Sequence, residues 1–148
     1  MYRKIGIDIF SGVGGLSLGA EWAGINVTHA IEMEKYSAIT YKNNHPNTNV
    51  IIDDIKNINP FDIARKGEVF ILFGGPPCQG FSTSNRKTRN DKNENNSLFQ
   101  EFIRFTGSLM PKWFLFENVE GITNYNNGKR LEEIRQSFIG LGYKISEK

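Results

Sequence analysis

Five short runs of β-branched and aromatic residues recur along the chain, with stretches of helical character between them. KIGIDIF (4–10), INVTHAIEM (25–33), NVIIDDI (49–55), EVFILFGG (68–75) and KWFLFENV (112–119) read as strands. LSLGAEWAG (16–24), EKYSAITYKNNH (34–45), SLFQEFIRFTGSLM (97–110) and KRLEEIRQSFIGLG (129–142) read as helices, the last closed by Gly142, and YKISEK opens a sixth strand. Strands alternating with helices require parallel pairing and right-handed crossovers, which gives a doubly wound α/β fold with a mostly parallel sheet and helices on both faces. The unbroken apolar run at 68–75 predicts a strand covered on both sides.

Composition narrows the class. A chain of 148 residues with 39% hydrophobic and 23% charged residues is of the size and balance of one globular domain. A net charge of +2 permits a nucleic-acid partner without requiring one. The single cysteine excludes an intramolecular disulfide and suits a reducing compartment. The start, MYRKIGIDIF, is too short in its apolar part to read as a signal peptide, and no apolar run approaches a membrane span. A cytoplasmic protein with no membrane partner is expected.

In an open α/β sheet, ligands bind beyond the carboxyl ends of the strands. The first strand delivers Phe10-Ser11-Gly12-Val13-Gly14-Gly15 there, a glycine turn that admits close approach of a ligand. The second delivers Glu32, at the distance from the turn where a carboxylate meets a ribose diol, and the third Asp53-Asp54-Ile55, suited to an adenine amine and ring. The fourth delivers Pro76-Pro77-Cys78-Gln79 and the fifth Glu117-Asn118-Val119. Singly, each is as readily a tight turn or a solvated cap. Together they compose an adenosine site with a thiol and a carboxyl beside it.

GVGGLSLG lacks the third glycine of the G-x-G-x-x-G pattern that cradles a pyrophosphate. S-adenosylmethionine carries adenosine without phosphate, and Asp8 and Glu32 are expected near its positive centres. Prolines ahead of Cys78 stiffen the backbone that aims the thiol. The polar stretch TSNRKTRNDKNENNS (83–97) is long for a loop inside a compact domain, which favours a functional role over a bare surface insertion.

DIFSGVGGLSLG, IEMEKYSAITYKNNHPN, DDI, GGPPCQGFS and ENV stand in the order and near the spacing of the cytosine-5 DNA methyltransferases, and from residue 4 onward the chain resembles that family. The resemblance implies Cys78 as the nucleophile on carbon-6 of cytosine and Glu117 as the acid that holds and protonates the ring. It implies S-adenosylmethionine as cofactor, with Phe10, Ser11, Gly12, Gly14, Glu32, Met33, Asp54, Ile55, Pro77 and Leu98 around it. DNA is the implied partner, met by Gln79, Ser82, Asn118 and Val119 and by Arg86, Lys87, Arg89 and Lys92 at phosphates, with the base flipped out of the duplex. The acid step asks for a carboxyl that keeps its proton near neutral pH, which burial can arrange.

Members of the family continue into a DNA-reading region and a closing segment that these residues do not include. The chain is therefore expected to be inactive alone, and to be the amino-terminal part or a split subunit of a bacterial restriction-modification enzyme. A second chain, or self-association through the exposed sheet edge, would then complete it. A tRNA cytosine methyltransferase and a cofactor-binding subunit without turnover are the alternatives. His29 and His45 lack metal-ligand spacing, no metal is expected, and each is expected to be satisfied or exposed. Trp22, Trp113 and most phenylalanines are expected in the core.

Overall fold

The structure, a computed structural model, describes residues 4–77, 98–118 and 128–147. Five strands, β1 (Ile5–Ile9), β2 (Asn26–Ile31), β3 (Asn49–Ile51), β4 (Ile71–Gly74) and β5 (Trp113–Phe116), form one sheet of order β3-β2-β1-β4-β5 with every pairing parallel. Among the described residues, four helices, α1 (Gly15–Trp22), α2 (Lys35–Asn44), α3 (Leu98–Leu109) and α4 (Lys129–Gly140), accompany two short 3-10 turns at Ile55–Asn57 and Pro60–Asp62. The doubly wound α/β fold expected from the alternating pattern is the fold observed.

β1 lies at the centre because its residues can be buried from both sides. Ile7 and Ile9 face a core shared with Leu72, Phe99, Phe102, Phe105 and Phe138, while Asp8, on the opposite face by strand alternation, meets Ser17 of α1. A smaller cluster on that second face joins Ala30, Val50, Ala38 and Tyr41, the last two from α2. β4 is covered as its apolar run predicts, with Leu72, Phe73 and Gly74 all buried. Phe102 is fully enclosed and meets Phe116 edge-on at 5.1 Å, while Phe114 stacks on Phe138 at 4.1 Å. Removing a ring such as Phe102 would cost about 3–5 kcal/mol.

Three expectations are corrected. Residues 143–147 are not a strand: Tyr143 instead donates its hydroxyl to the Pro111 carbonyl at 2.6 Å, Ile145 packs against the core, and Glu147 pairs with Arg135. That arrangement buries the apolar residue without needing a ladder partner. Trp22 is 82% exposed at the last position of α1, whose buried side is taken by Ser17. Trp113 is 63% exposed on β5, an edge strand of the sheet. The buried phenylalanines and the core-facing α3 agree with expectation. Among the described residues, no helix is long and apolar enough to cross a membrane.

Candidate active site

Strand order reverses between β1 and β4, and the crevice there is where a doubly wound sheet accepts ligands. A cleft of about 450 Å³ opens at the carboxyl ends of the strands, a volume in the range of small-molecule sites. Phe10, Glu32, Met33, Asp54, Ile55, Pro77 and Leu98, seven residues expected around a cofactor, line it together. Ile31, Asp53, Lys56 and Gly75 complete the wall.

The turn after β1 is wound by three positive φ angles, 62° at Phe10, 54° at Gly12 and 97° at Gly14. Phe10 has no glycine freedom, so holding it there costs about 1–3 kcal/mol that the surroundings must offset. They do so with the Ser11 amide donating to the Ile31 carbonyl at 3.0 Å and the Gly12 amide donating to Glu32 Oε2 at 2.8 Å. Glu32 Oε1 accepts the Glu34 amide at 2.7 Å. Each carboxylate oxygen has a second lone pair, the number a ribose diol would need.

Gly14 does not line the cleft. It enters α1 with its carbonyl accepting from His45 Nε2 at 3.1 Å, and a β-carbon there would run into the His45 ring. His45 is buried, meets the Tyr41 ring at a tilt of 39° and holds Glu21 through Nδ1 at 3.1 Å; half-buried His29 meets Thr28 Oγ1 at 3.1 Å. Both histidines are satisfied, as expected.

Asp8 is not beside the cleft but fully buried beneath the turn. Tyr41 Oη donates to Ser17 Oγ at 2.6 Å, and Ser17 donates to Asp8 Oδ2 at 2.6 Å. Among the described residues, Asp8 Oδ1 and Ser11 Oγ have no hydrogen-bond partner. Burial pushes the Asp8 carboxyl up to about 7, against the Ser17 bond that lowers it and with help from the nearby Glu32 charge. Burial also raises the Tyr41 hydroxyl to about 12, so it remains a donor. This network, with Ser17, Tyr41 and His45, escaped the sequence reading, since nothing in the spacing of residues 8, 17, 41 and 45 announces it.

On the far wall, Asp54 caps the 3-10 turn by accepting the Lys56 amide at 3.0 Å, and Asp53 accepts the Asp54 amide and the Asn57 side-chain amide. Glu117 follows β5, its amide donating to the Gly74 carbonyl at 3.0 Å. Its carboxylate lies directly over Gly75, where any β-carbon would collide with it. Glu117 is exposed, so the burial expected around it is not supplied by the described residues. Asn118 is half-buried beside it. Cys78, Gln79, Ser82, Arg86, Lys87, Arg89, Lys92 and Val119 lie outside the described residues.

A family profile described as C-5 cytosine-specific DNA methylase matches residues 5–148. The chain belongs to this family. Among curated relatives of the methylase family, the type II methyltransferase M.DdeI of Desulfomicrobium norvegicum is 41% identical over 94% of this chain and 34% of its own length. M1.HphI of Haemophilus parahaemolyticus is 38% identical over 94% of this chain and 38% of its own. The methylase chain thus spans about a third of the length of the curated relatives it matches. A solved structure from E. coli, described as a DNA modification methyltransferase encoded within a prophage, superposes with a TM-score of 0.76 at 33% identity, over 92% of this chain and 38% of that one. Spodoptera frugiperda DNMT2 shares the fold at a TM-score of 0.66 and 24% identity, over 91% of this chain and 41% of that one.

Proposed function

We propose that this chain forms the cofactor-binding and nucleophile-bearing part of an S-adenosylmethionine-dependent DNA (cytosine-5) methyltransferase of a bacterial restriction-modification system. The observation that carries the reading is the cleft at the switch point, whose charged lining among the described residues is three carboxylates, Glu32, Asp53 and Asp54, against one ammonium, Lys56. Such a site repels a dinucleotide's phosphates and attracts a nucleoside bearing a sulfonium and an ammonium. The family match supports the same cofactor.

When bound, S-adenosylmethionine supplies the electrophilic methyl group. Glu32 would take the ribose hydroxyls, Asp54 the adenine amine, and Met33 and Ile55 the two faces of the ring, with Phe10, Pro77 and Leu98 closing the apolar wall. Cys78, next in sequence after Pro77, would form a bond from its thiolate sulfur to carbon-6 of a cytosine. Glu117 would donate a proton at the ring nitrogen as that bond forms, so the adduct is a neutral enamine, nucleophilic at carbon-5, rather than a free anion. After methyl transfer, the ring nitrogen would return its proton to Glu117, and loss of the carbon-5 proton to water would expel the Cys78 thiolate and restore the ring. A cytosine inside a duplex is out of reach, so DNA would present it flipped, with Arg86, Lys87, Arg89 and Lys92 meeting phosphates and Gln79, Ser82, Asn118 and Val119 near the base. The partner reading extends to a second polypeptide or a second copy across the open edge at β5.

The test is covalent trapping on a duplex containing 5-fluorocytosine, with the chain alone and with the remaining length of a relative such as M.DdeI supplied in trans. A denaturation-resistant adduct in either arm, lost in Cys78→Ser, is expected. No adduct in both arms would contradict the cytosine reading.

A further inference from the structure

The cleft's lining comes from distant stretches of chain, Asp54 and Ile55 from the turn after β3 and Leu98 from the first turn of α3. One side chain outside the cleft joins them. Arg104 of α3 donates through Nη2 to the main-chain carbonyls of Ile55 at 2.9 Å and Ile58 at 3.1 Å, 49 and 46 residues away in sequence. Its Nε donates to Glu101 Oε2 at 2.7 Å, one helical turn back, and its guanidinium lies over the Phe105 ring at 4.9 Å. The guanidinium plane is thereby fixed on the helix before it reaches the turn.

A three-residue 3-10 turn has little stability of its own. Here its amino end is held by the Asp54 carboxylate on the Lys56 amide, and its carbonyl end by Arg104. The Ile55 carbonyl accepts the Ile58 amide at 3.2 Å as well, so its two lone pairs take the bond that closes the turn and the bond that ties the turn to α3. A planar fork with an ionised donor gives strong and directional bonds to carbonyls; a lysine, as a compact ammonium on a flexible stem, does not reproduce that plane.

We infer that Arg104 is a positioning residue for the adenine end of the cofactor. By gripping the Ile55 and Ile58 carbonyls from α3, it sets the separation between Asp54–Ile55 and Leu98 without touching the ligand. The inference rests on the reading of the cleft as the S-adenosylmethionine site and adds to it a residue that does not line that cleft.

The experiment titrates S-adenosylmethionine and adenosine into the wild-type chain, Arg104→Met, Arg104→Lys and Glu101→Gln, and follows amide hydrogen exchange without ligand. Arg104→Met, which removes both bonds to the turn, is expected to weaken both ligands equally, by about tenfold, since only part of that loss reaches a ligand it does not touch. Arg104→Lys is expected to recover only part of that loss. Exchange should accelerate at Asn57 and Ile58 while the amides of β1 and β4 keep wild-type rates. Should Arg104→Met fail to fold, Glu101→Gln carries the same signature at about two- to threefold, since it only frees the guanidinium plane. Wild-type affinity in folded variants, or exchange that accelerates everywhere alike, would overturn the inference alone. A wild-type chain that binds no S-adenosylmethionine would overturn the cofactor reading and the inference with it.

Discussion

The Glu32 carboxylate accepts the amide of Gly12 at 2.8 Å, tying the end of β2 to the left-handed turn that follows β1. The other oxygen accepts the Glu34 amide at 2.7 Å, so this carboxylate faces two donors that a carboxamide cannot serve together. Glu32→Gln is therefore expected to behave as a disruptive change: about 1–2 kcal/mol lost in urea unfolding, and S-adenosylmethionine affinity reduced about tenfold or more. Wild-type affinity in Glu32→Gln would show that the turn and the ribose site do not depend on this charge.

Asp8 makes stability depend on pH in the direction opposite to an ion-paired carboxylate. Its carboxyl is raised from 3.8 to about 7 by burial, so between those values the folded chain holds a proton that the unfolded chain has released. Stability from this group is full below about pH 4 and declines as pH rises to about 7, by at most ~4 kcal/mol. His29, lowered by its own burial, contributes the opposite slope below its ordinary value. The difference between wild type and Asp8→Asn in urea unfolding from pH 5 to 7.5 isolates Asp8. The decline is expected in the wild type relative to the variant; parallel profiles would contradict it.

Gly75 leaves room for the Glu117 carboxylate. Gly75→Ala would push that flexible carboxylate aside, at a cost to folding below about 1 kcal/mol. The rate of adduct formation with 5-fluorocytosine DNA is expected to fall about tenfold, in line with the 10²–10⁴-fold typical of a whole acid–base group. An unchanged rate would place the working acid elsewhere.

Gly14 combines a φ of 97° with contact against the His45 ring. Gly14→Ala is expected to destabilise the chain by about 2 kcal/mol or more, read as a fall in melting temperature. Because Gly14 stands outside the cleft, the affinity of the fraction that remains folded should change far less than in Glu32→Gln.

Much of this architecture is legible in sequence for definite reasons. β4 is central and covered on both faces, so its apolar run is unbroken, while β1 sets Asp8 among its isoleucines, and glycines mark where the chain turns after each. Phe10, Glu32, Asp54, Ile55 and Pro77 come into view because the fold carries strand ends to one place, whereas Met33 and Leu98 are implied by the family resemblance alone. Helix α1 misleads: Leu16, Leu18 and Trp22 suggest an inward face, yet Ser17 is the buried residue because Asp8 lies opposite it. A polar contact between a strand and a helix leaves no periodic trace. Arg104 is silent for a related reason, since its partners beyond its own helix are carbonyls, which every residue has. Residues 143–147 show the limit of strand propensity: although β5 is an edge strand, the Tyr143 bond to Pro111 and the packing of Ile145 hold this run outside the ladder.

The central claim is that the acid-lined cleft takes a cationic, phosphate-free adenosine ligand, and calorimetric titration measures it most directly. S-adenosylmethionine, and NAD as the phosphate-bearing control, would each be titrated into the wild-type chain and Glu32→Gln. The account predicts one S-adenosylmethionine per wild-type chain, weakened by the substitution, and no detectable heat from NAD. Binding of NAD, or no binding of S-adenosylmethionine by the wild type, would contradict it.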